Sequence, residues 1–308
     1  MRIRYAWFLA VVIALGGCSE KNEEATETGK KTPVVYVSNY PLKYFVERMA
    51  PPDVEVRFLV PVDDDPAYWR PKPKDVLALQ NADLIILNGA SYEPWLENVS
   101  LSQSKLVDTS AGFRAKLIPL KEATTHSHGM EGEHEHLGTA FTTWLDLKLA
   151  ISQAGKAKDA LVARWPQHKE NIESQFTNLS QDLRAMDGEI KDIVAGNPNQ
   201  AVLFSHPVYQ YFEAGYGING RSVHWEPGEM PDDAKWGEMT GLLKQQPTKW
   251  MIWEGNPKPE IVSKLKTIKV ESVVFAPCAN TPDSGDFLTV MRENMAELKR
   301  VFGPGKLQ

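Results

Sequence analysis

The sequence predicts an α/β protein of two similar lobes, each with a central parallel sheet, joined by one long helix. Three observations predict it. Apolar strand-like runs alternate with helix-like periods in both halves of the chain, the order that builds parallel sheets. Ile172, Phe176, Leu179, Leu183, Met186, Ile190 and Ile193 recur at spacings of three and four, one apolar stripe on a helix of about seven turns. The two halves also open alike: "VVYVSNYPLKYFVERM" and "AVLFSHPVYQYFEAGYG" share an apolar run, a serine, a polar residue, a proline, a Tyr-Phe pair and an acid. Later, "WMIWEGNPKPEIV" echoes "LIILNGASYEPWL".

At the N-terminus, Arg2 and Arg4 precede "YAWFLAVVIALGG", an apolar segment too short to span a bilayer comfortably. That is the build of a signal peptide over residues 1–17. The segment ends in "LGGC", which resembles the lipobox of bacterial lipoproteins and implies a lipid on Cys18. The other reading is an ordinary signal peptide beside a stray cysteine. Residues 18–32 are polar, without apolar period, and read as a flexible tether. An extracytoplasmic, membrane-anchored lipoprotein is expected, on the periplasmic side in a Gram-negative cell. Only two cysteines occur; with Cys18 lipidated, Cys278 has no partner and the fold is not a disulfide scaffold.

Residues 33–165 form the expected N-terminal lobe. Val34–Val37 read as a buried strand, and Leu42, Phe45, Val46 and Met49 as the period of the helix after it. "VEVRFLVP" gives a second strand. A proline-rich loop, a short helix and a third strand at Leu84–Leu87 follow, and "KLVDTS" is a candidate fourth. Between 125 and 136 lies a Gly/Glu/His tract, read as a solvated loop because it cannot pack a core. "TTWLDLKLAISQAGKAKDALVARW" reads as helical. The linker helix is expected over 166–196 and needs no partner chain, so a monomer is expected. The C-terminal lobe takes 197–308.

The balance of the 308 residues excludes some functions. A net charge of −6 without a long basic run argues against a nucleic-acid partner. No G-x-S-x-G, Walker loop, H-E-x-x-H or G-x-G-x-x-G occurs, and Ser205 beside His206 is adjacency rather than a triad. Covalent chemistry is not expected.

Several pieces in order, "DPAYWRPKPKDVLALQNADLIILNG", "YEPWL", "TTWLDLKLA" and "SHPVYQYFEAGYGI" followed by "WEPGEM", resemble the periplasmic or lipoprotein solute-binding proteins of zinc/manganese ABC transporters, the cluster A-I metal-binding family. The resemblance covers most of Pro33–Phe302. It implies two α/β lobes joined by one rigid long helix, Zn²⁺ or Mn²⁺ carried as cargo in the interlobe cleft, and delivery to an ABC permease with its ATPase. It also implies three histidines and one carboxylate around the ion. Here the position after the Asp-Pro pair is Ala67, the position two before the tryptophan of the Trp-Leu-Asp stretch is Thr142, and the C-terminal carboxylate position is Ala276. Only His206 stands where the family has a ligand, and one imidazole cannot hold a transition ion tightly.

Three readings of His206 stay open: remnant ligand of an altered site, hydrogen-bonding partner of a chelated or organic solute, or orienting residue for the next helix. Replacement ligands are sought in Glu226, Glu254 and Cys278, with His224, Asp283 and Asp286 also in second-lobe loops. Tyr68, Trp69, Arg70 and Glu93 are candidates to contact solute from the first lobe. Tyr92, Trp95, Trp144, Trp225, Trp236, Trp250 and Trp253 are expected around the cleft. His126, His128, His134 and His136 form an accessory loop that can gather an ion, weakly because ordering it costs entropy. A metal chaperone or an adhesin acting through that loop is the remaining alternative.

Overall fold

The structure is a computed structural model that describes residues 31–120, 124–127, 133–136 and 138–303, the two short stretches as backbone only. The expectations for the signal peptide, Cys18, most of the tether and His128 lie outside the described residues.

The first lobe alternates as its apolar pattern requires. Strand β1 (Val34–Val37) leads to helix α1 (Tyr40–Met49), β2 (Glu55–Phe58), α2 (Pro73–Gln80), β3 (Leu84–Leu87) and β4 (Leu106–Asp108). β1 and β3 are buried at every residue, and β2 alternates exposed and half-buried. This is the difference between central and edge strands of a parallel sheet. The order is β2-β1-β3-β4, all parallel. α1 starts where Asn39 accepts the Leu42 N–H at 3.0 Å, and it buries Leu42, Phe45, Val46 and Met49.

The tract expected as a loop carries an antiparallel ribbon, β5 (Thr124–Ser127) and β6 (Glu133–His136), with position 126 opposite 134. Two strands satisfy each other's backbone without a core, which the absence of apolar residues did not exclude.

Helix α3 (Leu147–Arg164) begins at Asp146, whose carboxylate accepts the Lys148 N–H at 2.9 Å. α4 (Lys169–Ala195) is the long helix. Its 27 residues extend about 40 Å. Ile172, Leu179, Leu183, Met186, Ile190 and Ile193 are buried, with Phe176 half-buried. α4 packs on α1 and α3 of the first half and on α8 of the second.

The second lobe comprises β7 (Ala201–Phe204), α5 (Gln210–Tyr216), β8 (Asn219–Ser222), α6 (Asp233–Gln245), β9 (Trp250–Trp253), α7 (Pro259–Thr267), β10 (Glu271–Val274) and α8 (Phe287–Phe302). Its sheet order is β10-β9-β7-β8, again parallel. Read from β8, this is the same order as the first lobe, so the echoing segments are equivalent strands. Both orders reverse beside the first strand, and an open parallel sheet binds ligands at the carboxyl ends there. Among the described residues no helix is long and apolar enough to cross a membrane.

The tryptophans divide differently from expectation. Trp225, Trp236 and Trp253 pack with Leu203, Met239 and Ile261 in the core of the second lobe. Trp95 packs with Trp69 in the first, their rings 5.9 Å apart and edge-on. Indoles supply much apolar area, and here most of it is spent inside the lobes.

Candidate metal centre

Three strand ends of the second lobe deliver three side chains to one point. His206 lies two residues after β7, Glu254 directly follows β9, and Glu226 sits in the loop after β8. His206 Nδ1 is 3.5 Å from Glu226 Oε1 and 3.7 Å from Glu254 Oε1. One ligand atom from each of the three lies within 4.8 Å of the others. His206 is only 5% exposed, fixed between β7 and the Pro207 turn.

These residues line a cavity of about 240 Å³ shared with the first lobe, which contributes Asp65, Tyr68, Tyr92, Phe141, Thr142 and Trp144. Burial, then Glu226 and Asp65, push the Glu254 carboxyl up to about 8. Burial, then Asp65, Glu254 and Glu226, push the Tyr68 hydroxyl well above its ordinary value. Like charges in a partly dry site oppose ionisation, and a cation placed among them removes that opposition.

The first lobe explains its own small share. Asn39 stands two residues after β1 and Asn88 one after β3, the positions that His206 and Glu254 occupy after β7 and β9. Asn39 Nδ2 donates to Asn88 Oδ1 at 3.2 Å, and Gln153 Nε2 donates to the same oxygen at 3.0 Å. Where the second lobe presents a ligand pair, the first closes its strand ends with a satisfied amide network.

The expected candidates separate cleanly. Glu226 and Glu254 join His206. Tyr68 lines the cavity, while Trp69 and Arg70 line a neighbouring one with Pro94 and Trp95. Glu93 is a correction: it is buried, and its carboxylate accepts the Asn88 and Gly89 N–H groups at 2.7 and 3.1 Å, tying the turn after β3. Cys278 is another. It lines a different cavity, with Asp283 and Asn294, outside the group formed by His206, Glu226 and Glu254, and burial followed by Asp286 pushes its thiol up to about 12. Asp286 caps α8 through the Thr289 N–H at 2.8 Å. His224 packs edge-on against His206, ring centres 5.9 Å apart, outside the triad.

At the three substituted positions, Ala67 is buried in the core, Thr142 donates to the Val208 carbonyl from the cavity wall, and Ala276 is clamped at its N–H and C=O by Asn294 on α8 at 2.9 and 2.8 Å. For His126, His134 and His136 the ribbon gives backbone positions alone. Asp65, on the cavity wall, is not among the ligands expected from the sequence. Its signals are its place in the Asp-Pro pair before Ala67 and at the end of three consecutive aspartates.

Known proteins share this architecture. The zinc-binding lipoprotein AdcA of Streptococcus pneumoniae is 24% identical over 272 residues, 85% of this chain and 54% of that protein, so the chain spans about half the length of the AdcA relatives it matches. The manganese-binding lipoprotein MntA of Halalkalibacterium halodurans is 28% identical over 225 residues, covering 71% of this chain and 69% of its own. The crystal structure of the metal-dependent lipoprotein YcdH of Bacillus subtilis superposes with a TM-score of 0.75 at 19% identity, over 88% of this chain and 99% of that one. The sequence pattern of zinc-uptake complex component A, periplasmic, matches residues 35–301, both lobes and the helix between them, and the chain belongs to this ZnuA family.

Proposed function

We propose that this protein is the extracytoplasmic binding component of an ABC uptake system for a divalent metal ion. The ion is held by His206, Glu226 and Glu254, with Asp65 reaching from the opposite wall. The observation that carries this is the convergence of the three second-lobe ligand atoms within 4.8 Å at the cleft. One imidazole among carboxylates is an oxygen-rich set, which suits Mn²⁺ better than the histidine-rich set of a zinc site. The relatives named for zinc and for manganese place both ions among the candidates, and the donor set favours manganese. A cavity of about 240 Å³ lies below the range of about 300–1,000 Å³ for organic-ligand pockets, which favours the bare ion over a chelate. Anchoring through Cys18, a monomeric state, and delivery to a permease and its ATPase belong to the same proposal.

Metal analysis with calorimetry on the intact protein, on Glu254→Gln, and on a form lacking residues 125–136 tests it. One ion per chain is expected, retained without the ribbon and lost with Glu254→Gln. Retention by Glu254→Gln with loss on ribbon deletion would instead assign the metal to the histidine ribbon, as in a chaperone.

A further inference from the structure

Three of the proposed centre's ligands come from one lobe, and a cation held by these alone would leave the other lobe indifferent to its presence. Asp65 is the one first-lobe carboxylate on the cavity wall, and no first-lobe histidine lines it among the described residues. It sits in the loop after β2, the counterpart of the loop after β8 that carries Glu226. Within the Asp65 loop the Asp64 N–H donates to the Pro61 carbonyl at 3.1 Å and the Tyr68 N–H to the Asp65 carbonyl at 3.1 Å. Residues 61–65 are exposed, outside any helix or strand, and three of them are consecutive aspartates.

One side chain from the second lobe grips this loop. Asn280, between β10 and α8, directs its amide nitrogen at the carbonyls of Pro61, Val62 and Asp64, at 2.6, 3.1 and 2.7 Å. The amide has two N–H donors, so the three acceptors share them. Its own carbonyl oxygen accepts the Thr281 N–H at 2.6 Å, fixing the amide's orientation. The second-lobe segment behind it is anchored across the cleft as well: the Ala279 carbonyl accepts the Tyr40 N–H at 2.9 Å, and the Pro277 carbonyl accepts Trp144 Nε1 at 2.8 Å. The last strapped carbonyl belongs to the residue preceding Asp65. Asp65 in turn accepts the Ala67 N–H on Oδ1 at 2.9 Å, which sets the direction of its carboxylate.

We infer that Asn280 is a positioning residue for the metal centre: its interlobe strap holds the loop 61–65 so that Asp65 faces His206, Glu226 and Glu254 and closes the coordination from the opposite lobe. The inference rests on the proposed metal reading. It adds what couples occupancy to the first lobe, and it assigns that coupling to Asp65 and Asn280, neither of which stands at an expected ligand position. The strap acts before the ion arrives, so Asp65 need not be ordered from a free loop at each binding event.

Mn²⁺ is titrated into the full chain and into Asn280→Ala, Asp65→Ala, the double variant and Glu254→Gln, with the thermal midpoint recorded for each. Asn280→Ala is expected to weaken binding about tenfold or more, the usual cost of removing a group that orients a metal ligand. Asp65→Ala is expected to weaken it at least as much, and the double variant no more than Asp65→Ala alone, because the strap acts through that carboxylate. Asn280→Asp, which keeps the side chain's size and loses its donors, is expected to match Asn280→Ala and guards against a packing defect. Additive losses in the double variant, or wild-type affinity in either single variant, overturn the strap. If Glu254→Gln still loses the ion in that case, the centre stands without it. Full affinity in Glu254→Gln overturns the centre and the strap together.

Discussion

Glu254, Glu93 and Glu213 are carboxyls that burial lifts above the ordinary carboxylate range, to about 8, 7 and 7 respectively. A raised folded value means that the folded chain binds more protons than the unfolded chain between the two values. The stabilisation is full below the unfolded value and is lost as pH rises through the folded one. The ion-free protein is therefore expected to lose thermal stability from about pH 4.5 up to about pH 8. Calorimetric melts across that range check it, and Glu213→Gln, away from the centre, should flatten the slope. Metal binding is expected to run the other way: an ion held in the proposed centre would displace the Glu254 proton, so affinity should rise with pH. Titrations in buffers of different ionisation enthalpy should show proton release on binding at pH 7, and absence of release would contradict the assignment of Glu254 as a ligand.

At the scale of elements, the turn after β3 is built by backbone geometry. Gly89, Ala90 and Ser91 all take positive φ, at 73°, 54° and 65°. A Cβ on Gly89 would stand 2.0 Å from Asp108 Oδ1 and 2.3 Å from Ser110 Oγ. Both the conformation and the space demand glycine there, and Glu93 holds the turn by its two N–H contacts. Gly89→Ala is expected to destabilise by about 1–3 kcal/mol, the range for strain at such a position. In α4 the stripe has a different cost. Leu183 is fully buried in the core that both lobes share, and Leu183→Ala should cost about 2–5 kcal/mol. Chemical denaturation checks both. This core was legible in the sequence, because a 3.6-residue period states which face is apolar wherever the helix later docks. The role of Glu93 was not: a glutamate in a loop signals neither a ligand nor a turn brace until its neighbours are known.

At the scale of the molecule, a helix about 40 Å long, docked on α1, α3 and α8, joins two sheets of identical strand order. Other contacts cross the cleft: Tyr211 donates to the Ala140 carbonyl at 2.9 Å, Trp144 to Pro277, and Asn280 to the loop 61–64. Many fixed points leave room for tilting of the lobes rather than wide hinge rotation. Small-angle scattering of the ion-free and Mn²⁺-loaded protein is accordingly expected to give nearly superimposable curves, and a large contraction on loading would count against a stiff connection.

The sequence by itself determined the two α/β lobes, the long helix and the place of His206, because hydrophobic period and strand-to-helix order are local properties repeated in each half. It also showed which expected ligand positions, Ala67, Thr142 and Ala276, hold no ligand. Only the tertiary structure brought together the residues proposed to replace them. In the sequence, Glu226 and Glu254 are two glutamates among several in loops, Cys278 is as good a candidate, and Asp65 stands at no expected ligand position. The proposed coordination needs residues up to 189 positions apart, Asp65 and Glu254, to line one cavity. Such placements are fixed by where β2, β7, β8 and β9 end once their sheets are packed, and by a strap from Asn280 that no local pattern encodes.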